Sequence, residues 1–359
     1  SPLLPPALPG RANRPLRYGF GSKFRPLKTP PSHGLTGLAA TKSGAKNPCP
    51  RRSAPAAPPP YSRRMKLATL QDGSRHGQLA VVSRDLSRAC YASGIAATLQ
   101  QALDDWNFIA PQLQALSEAL SSGHARHAFA LDAAQCLAPL PRTCQWALAS
   151  EAPDEAPNET PDADAALPAL TLAAGDTLRG PHAALPALPG SLDFEPQLAA
   201  ILADTPRAAT VRQGADAIRL LVLACPLRLR EAPLSDACPA TAFAPVAITP
   251  DELGAAWQAG VARLTLQVSL NGRKTGLLDT GRAWPLGRIA AASACTRALS
   301  AGSLLGTGPT PAASGSASLH QRRASGLPAG WLQAGDVLHV QAKSPNGPPL
   351  FGELQCRLV

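Results

Sequence analysis

The amino-acid sequence predicts a β-rich α+β fold in which a small N-terminal domain precedes a larger one. Three observations carry that expectation. Short apolar or alternating segments bounded by Gly, Pro, Asn or Asp recur through the second half, helical periodicities there are few and short, and one long amphipathic pattern stands near the front. The chain has 359 residues, 45% of them apolar, which is ample for a packed core.

Residues 1–64 stand apart from this body. They hold twelve Lys or Arg, no Asp or Glu, and fourteen of the 38 prolines. With no apolar period, such a segment cannot offset roughly 1–2 kcal/mol of backbone ordering per residue, so it reads as a disordered extension. The one methionine, Met65, directly precedes the first strand-like run. The expected start is therefore Met65, with the preceding residues translated from a start site placed too early. A transit peptide, a nucleic-acid tail and a proline-motif ligand remain alternatives for that stretch. The formal net charge of +10 resides there, because residues 65–359 carry 22 basic against 24 acidic residues. A nucleic-acid partner is accordingly not expected for the body. No apolar run approaches the ~20 residues of a membrane span, and a cytoplasmic protein is expected.

Within the body, Lys66 to Leu70, the turn Asp72-Gly73 and Gln78 to Ser83 read as an opening hairpin. Thr98 with Gln101 makes a capping box, and Leu99, Leu103, Trp106, Ile109 or Ala110, Leu113, Leu116 and Leu120 follow at helical spacing up to Gly123. Pro111 predicts a kink or a break in that helix. Residues 65–146 form the expected N-terminal domain. Residues 147–190, rich in Ala, Pro, Asp and Glu, read as a linker or loop, and residues 191–359 as the C-terminal domain. There, Leu192 to Leu202 reads as a strand, Val211 to Ile218 as a short helix and Leu220 to Ala224 as a buried strand. Thr249-Pro250-Asp251-Glu252 is a helix start. Leu264, Leu266, Val268 and Leu270 alternate with polar residues before Asn271-Gly272, a strand entering a tight hairpin. A helix over 286–299, a strand ending in Gly306-Thr307-Gly308, and strands over 337–342 and 350–358 about the turn Pro345-Asn346-Gly347 complete the pattern.

The candidate chemistry is sparse. No two of the eight cysteines are separated by the two to four residues of a zinc knuckle or redox pair, and they read as buried thiols. His124 and His127 have no acid nearby. No phosphate loop, Gly-x-Ser-x-Gly elbow or dinucleotide fingerprint is present.

Several phrases in order carry a resemblance: Met65 to Leu70 with Asp72-Gly-Ser-Arg75, Gln100 to Asn107, Leu192-Asp-Phe-Glu195, Pro239 to Pro245, Asn271 to Lys274, and Gly335-Asp336 with Phe351-Gly352. Together they resemble the fumarylacetoacetate hydrolase family, in its bacterial form with a small N-terminal domain, over roughly 65–359. The resemblance implies a mixed β-roll or sandwich catalytic domain, usually a homodimer. It also implies a Mg or Ca ion and a small-molecule β-diketo acid, cleaved by water into two carboxylic acids, as in aromatic amino acid catabolism. The family's Glu-x-Glu metal pair falls on Glu195 and Gln197, and its substrate-contacting arginine on Arg230. Other family positions are altered. The ligand aspartate aligns near Pro226, the catalytic lysine with Cys238 and the loop threonine with Pro309, beside Thr310. The histidine base has no counterpart, since His182, the one histidine of residues 147–190, lies out of register.

A catalytic residue is therefore not assigned. One carboxylate and one amide facing a dication with a large dehydration cost imply millimolar affinity or worse, so this site holds its metal weakly or holds none. The leading expectation is a family member with weak or lost hydrolase activity. The alternatives are a working metal-dependent hydrolase rebuilt from Glu195, Asp193 and acids of residues 147–190, and a nucleic-acid or partner-binding protein acting through the basic tail.

Overall fold

The computed structural model describes residues 64–152, 167–233, 237–343 and 350–359. The basic tail, the acids of residues 153–166 and the turn at 345–347 lie outside the described residues.

The chain opens with β1 (Lys66–Leu70), β2 (Gln78–Val82) and β3 (Arg88–Tyr91), an antiparallel meander as the sequence predicts. Helices α1 (Leu99–Asp104) and α2 (Trp106–Ser121) follow. Thr98 caps α1 by accepting from the Gln101 amide, while the Gln101 side chain reaches back to Ala97 N rather than to Thr98 N. The helix breaks at Asp105 and not at Pro111, which lies inside α2. Pro111 and Asn107 are both exposed, so the carbonyl that loses its partner faces water and the helix continues.

β4 (Phe129–Ala130) pairs with β3, and β5 (Trp146–Ala149), β6 (Leu170–Ala173), β7 (Leu178–Arg179) and β8 (Ala184–Leu185) come next. The described part of residues 147–190 is thus not loop alone. β5 pairs with β6, β7 runs parallel to β12 (Thr241–Phe243), and β8 runs parallel to the last strand. Two- and four-residue strands in an Ala- and Pro-rich context owe their form to these distant partners, not to propensity.

The centre is β11 (Ile218–Leu229), reached through β9 (Leu192–Phe194), β10 (Gln197–Leu202) and α3 (Val211–Asp216). β9 and β10 divide the expected 192–202 strand at Pro196 but keep one antiparallel register against β11, with Phe194 opposite Leu227 and Gln197 opposite Ala224. Pro196 has no N–H to give, so the ladder skips it and resumes. Beyond β12 come β13 (Ala247–Ile248), a 3-10 turn at Pro250–Ala256 where a regular helix is expected, and the small pair β14 (Trp257–Gln258) and β15 (Val261–Ala262). Thr249 makes no side-chain cap there; its hydroxyl meets the backbone of Met65 instead.

β16 (Thr265–Leu270) and β17 (Arg273–Asp279) form the predicted hairpin, and Asn271 and Gly272 both have positive φ, 52° and 74°, as a two-residue turn needs. α4 (Leu286–Ser293) stops earlier than the expected 299, and β18 (Leu304–Gly306), β19 (Ala312–Gly315), α5 (Leu319–Ala324), β20 (Val337–Lys343) and β21 (Glu353–Leu358) complete the chain. Among the described residues the strands form two main sheets. One runs β4-β3-β2-β1-β13-β11-β10-β18-β5-β6, and the other β19-β17-β16-β20-β21-β8.

β11 is buried on both faces. Leu220, Val222 and Ala224 pack with Leu99, Leu103 and Leu113 of the helix pair, while Leu221, Leu223 and Cys225 pack with Leu266, Val268 and Val340 of the second sheet. Strand alternation thus distributes one strand between two cores. Replacing Leu223 by Ala should cost about 2–5 kcal/mol in urea unfolding, because the buried site cannot collapse around the missing methyls; a loss under about 1 kcal/mol would show that this face is loosely packed.

Candidate functional site

Past the apolar part of β11, its even-numbered face becomes polar. Residues directly opposite each other on an antiparallel pair share a face. Asp193, Glu195 and Gln197 therefore lie beside Pro226, Arg228 and, just beyond the strand end, Arg230; Asp193 is opposite Arg228, and the Glu195 amide donates to Pro226 O.

Asp193, at 0% exposure, is saturated. Its Oδ1 accepts from Phe194 N and Leu319 N, both at 2.8 Å, and its Oδ2 from His320 N at 3.0 Å. Oδ2 also accepts from Arg230 Nε at 3.1 Å and Nη2 at 2.7 Å. Glu195, 5% exposed, faces two guanidinium groups, with Arg230 Nη1 2.8 Å from Oε1 and Arg228 Nε 3.5 Å from Oε2. Burial pushes the Glu195 carboxyl above its ordinary value, with Arg228 and Arg230 pulling it back and Asp193 adding to the rise. Burial also works against the charge on Arg230, but Glu195 and Asp193 outweigh it and hold that guanidinium above its ordinary value.

Gln197 turns elsewhere. Its Oε1 accepts from Gly308 N at 2.7 Å, and its Nε2 points to Glu195 O at 3.4 Å. The amide thus ties β10 to the loop after β18, and a Cβ on Gly306 would run into Gln197 Oε1 and the Trp146 ring. A carboxylate would accept from Gly308 equally well; the amide does so without adding a buried charge. Cys238 is buried near the same face, with Sγ 3.6 Å from Thr241 Oγ1, and burial pushes its thiol up, so it supplies no positive charge in place of lysine. Pro226 offers no side-chain donor, and Thr310 is fully buried with no partner for its hydroxyl among the described residues. His182 lies near β7, away from this cluster.

The two sequence-derived metal positions, Glu195 and Gln197, and Arg230 are therefore neighbours on one face, with Arg230 paired to Glu195 and Gln197 bonded to Gly308. A Mg or Ca ion does not fit these residues. Among the described residues no group of three or more His, Cys, Asp or Glu could hold a metal. The lone pairs of Asp193 already accept five hydrogen bonds, and both Glu195 oxygens face arginine. A dication would also sit beside two guanidiniums, at about 4 kcal/mol for each pair of like unit charges 4 Å apart at an effective dielectric of 20. Sequence reasoning missed Arg228. The available signal was the matched alternation of Asp193 and Glu195 with Arg228 and Arg230, two acids and two bases each at i and i+2 on facing strands.

Comparison with known proteins supplies the family. No curated protein matches the chain. Similar solved structures include maleylpyruvate hydrolase from Sphingobium sp. SYK-6, 18% identical with a TM-score of 0.59, covering 82% of this chain and 99% of that one. The same enzyme in complex with manganese(II) and pyruvate is 19% identical at TM-score 0.57, with 82% and 99% covered. The fumarylacetoacetate hydrolase of the psychrophile Exiguobacterium antarcticum is 19% identical at TM-score 0.59, again over 82% and 99%. At such identities the likeness shows the fold. The family model for the fumarylacetoacetase N-terminal domain 2 matches residues 65–142, and that for the fumarylacetoacetate (FAA) hydrolase C-terminal domain matches residues 144–359. The 147–190 segment expected as a linker thus falls inside the C-terminal domain, and the chain belongs to the fumarylacetoacetate hydrolase family.

Proposed function

We propose that this chain is a fumarylacetoacetate-hydrolase-family protein whose metal-dependent cleavage of acylpyruvate-type substrates is weak or lost. The carrying observation is the pairing of Glu195 with Arg228 and Arg230, next to the Asp193–Arg230 pair. Two buried carboxylates are neutralised by two guanidiniums, so the position that needs a dication for Lewis-acid chemistry has its charge supplied by the chain itself. Arg230, where the resemblance places a substrate contact, spends three of its donors on Asp193 and Glu195. What Asp193 does on this reading is structural, since it clamps the start of α5 to β9 through Leu319 N and His320 N.

Metal addition tests the reading directly. A metal at 100 times its dissociation constant would add about 2.7 kcal/mol of stability, so Mg, Ca or Mn should leave the melting temperature unchanged. A rise of several degrees reversed by EDTA, or Mn-dependent turnover of maleylpyruvate or fumarylacetoacetate that vanishes in Glu195→Gln, would overturn it and favour a rebuilt hydrolytic site.

The charge cluster makes two further predictions. Removing Arg230 by Arg230→Ala strands two buried carboxylates and should cost about 3–5 kcal/mol in chemical denaturation. The pH dependence follows from the raised Glu195 carboxyl, whose ordinary value is 4.5. From 4.5 up to its folded value, the folded protein holds a proton that the unfolded chain has lost, so stability falls as pH rises through that window. Glu195→Gln should flatten that fall in unfolding measured across the window; an unchanged slope would show that Glu195 is not the titrating group.

A further inference from the structure

A second cluster of charge plays no part in the site above. A cavity of about 620 Å³ opens between the β1–β2 turn, the segment around Arg142, and β7 with the residues after it. Arg75, Arg142, Arg179 and His182 line it, Asp176 is the one carboxylate among the described residues that does, and none of Asp193, Glu195, Gln197, Arg228 and Arg230 borders it. Among the described residues, no carboxylate pairs with Arg75, Arg142 or Arg179. Arg142 instead donates from Nη2 to His76 Nε2 at 2.6 Å, which fixes the direction of its planar fork.

The walls are held rather than incidental. Gln71 N donates to Gln135 O and Leu137 N to Thr69 O, each at 2.8 Å, fastening the segment below Arg142 to the end of β1. On the other side Gly180 lies so close to the Cys136 carbonyl that no Cβ could be accommodated, and Gln355 N donates to Pro181 O at 2.8 Å. Three segments distant in sequence thus bring three arginines to the lining of one concavity. Because residues 65–359 carry 22 basic against 24 acidic residues, this is a local concentration and not part of a general basic surface. A nucleic-acid strand needs a positive track along the surface; a half-open concavity of this volume suits a small molecule.

We infer that this cavity binds a small polyanion, its phosphate or carboxylate oxygens held by the forks of Arg75, Arg142 and Arg179. Guanidinium matches both groups through paired N–H···O contacts, so the shared chemistry is a pair of oxyanions on one small molecule. This is independent of the Glu195 cluster and of any hydrolytic activity.

Calorimetric titration of the full chain with pyrophosphate and, separately, with citrate tests it, each against sodium chloride at matched ionic strength. Saturable one-to-one binding of pyrophosphate alone identifies a phosphate-bearing ligand, of citrate alone a polycarboxylate, and of both the shared oxyanion chemistry. Arg142→Gln with Arg179→Gln should weaken that binding by about tenfold or more, the scale of losing charge-assisted hydrogen bonds. The basic first 64 residues are present in both proteins and cancel in the comparison. Arg75→Gln, on the exposed β1–β2 turn, serves as a second variant should the double one fail to fold, and should weaken binding in the same direction. Absence of heat beyond the chloride control, or equal binding by wild type and folded variants, overturns the inference.

Discussion

Two carboxylates buried two residues apart on one strand face must be neutralised, because an uncompensated charge in such a place costs several kcal/mol. Asp193 and Glu195 are placed this way by the alternation of a strand, and the register of β9 and β10 against β11 dictates what can neutralise them. The facing positions are Pro226 and Arg228, with Arg230 just past the strand. Pro226 contributes no side-chain oxygen, and among the described residues no third acid joins the pair. Arg228 and Arg230 supply the positive charge. Register alone thus decides that the cluster closes on itself.

On the proposed reading, the scaffold does not depend on a dication. Where metal binding supplies folding energy, loss of ligands removes the fold with the metal. Here the core on either side of β11 is apolar, built from residues such as Leu221, Leu223, Val222 and Leu220, and the polar cluster occupies only the far end of that strand. Gln197 shows the same economy. Its amide ties β10 to Gly308, a hydrogen bond a carboxylate would also accept, and supports the loop after β18 without adding a buried charge.

Much of this was legible in the sequence, and the remainder was hidden for definable reasons. The β1–β2 hairpin, the Thr98 cap, the alternating 264–270 strand and its Asn271-Gly272 turn are specified by residues close to one another, so local pattern suffices. The shared face of Glu195 and Gln197 follows from a period of two. Strands β7 and β8 did not show, since they exist through parallel pairing with β12 and β21, more than fifty residues away. The break at Asp105 instead of Pro111 depends on which carbonyls face water, a tertiary property. Arg228 was obscured for a related reason: its partner lies on another strand, and only the pairing register, preserved across Pro196, makes the two alternations coincide.

The same reasoning separates the two charged regions of the molecule. At the Glu195 cluster, two bases face two acids: Asp193 and Arg230 are joined by hydrogen bonds and Glu195 pairs with both arginines, while Arg228 Nη1 has no partner among the described residues, so most of the charge is met by neighbours in the chain, which favours rigidity over binding. Around Arg142 the balance is different: three arginines line a concavity at which Asp176 is the one carboxylate among the described residues. Exposed guanidiniums keep much of their hydration, so their mutual repulsion is tolerable in water and falls further when an anion enters between them. Charge that is already compensated holds strands together, whereas charge left uncompensated but solvated is available to a ligand. That distinction gives the seam between the first hairpin and β7 a binding potential of its own, whatever the Glu195 cluster does.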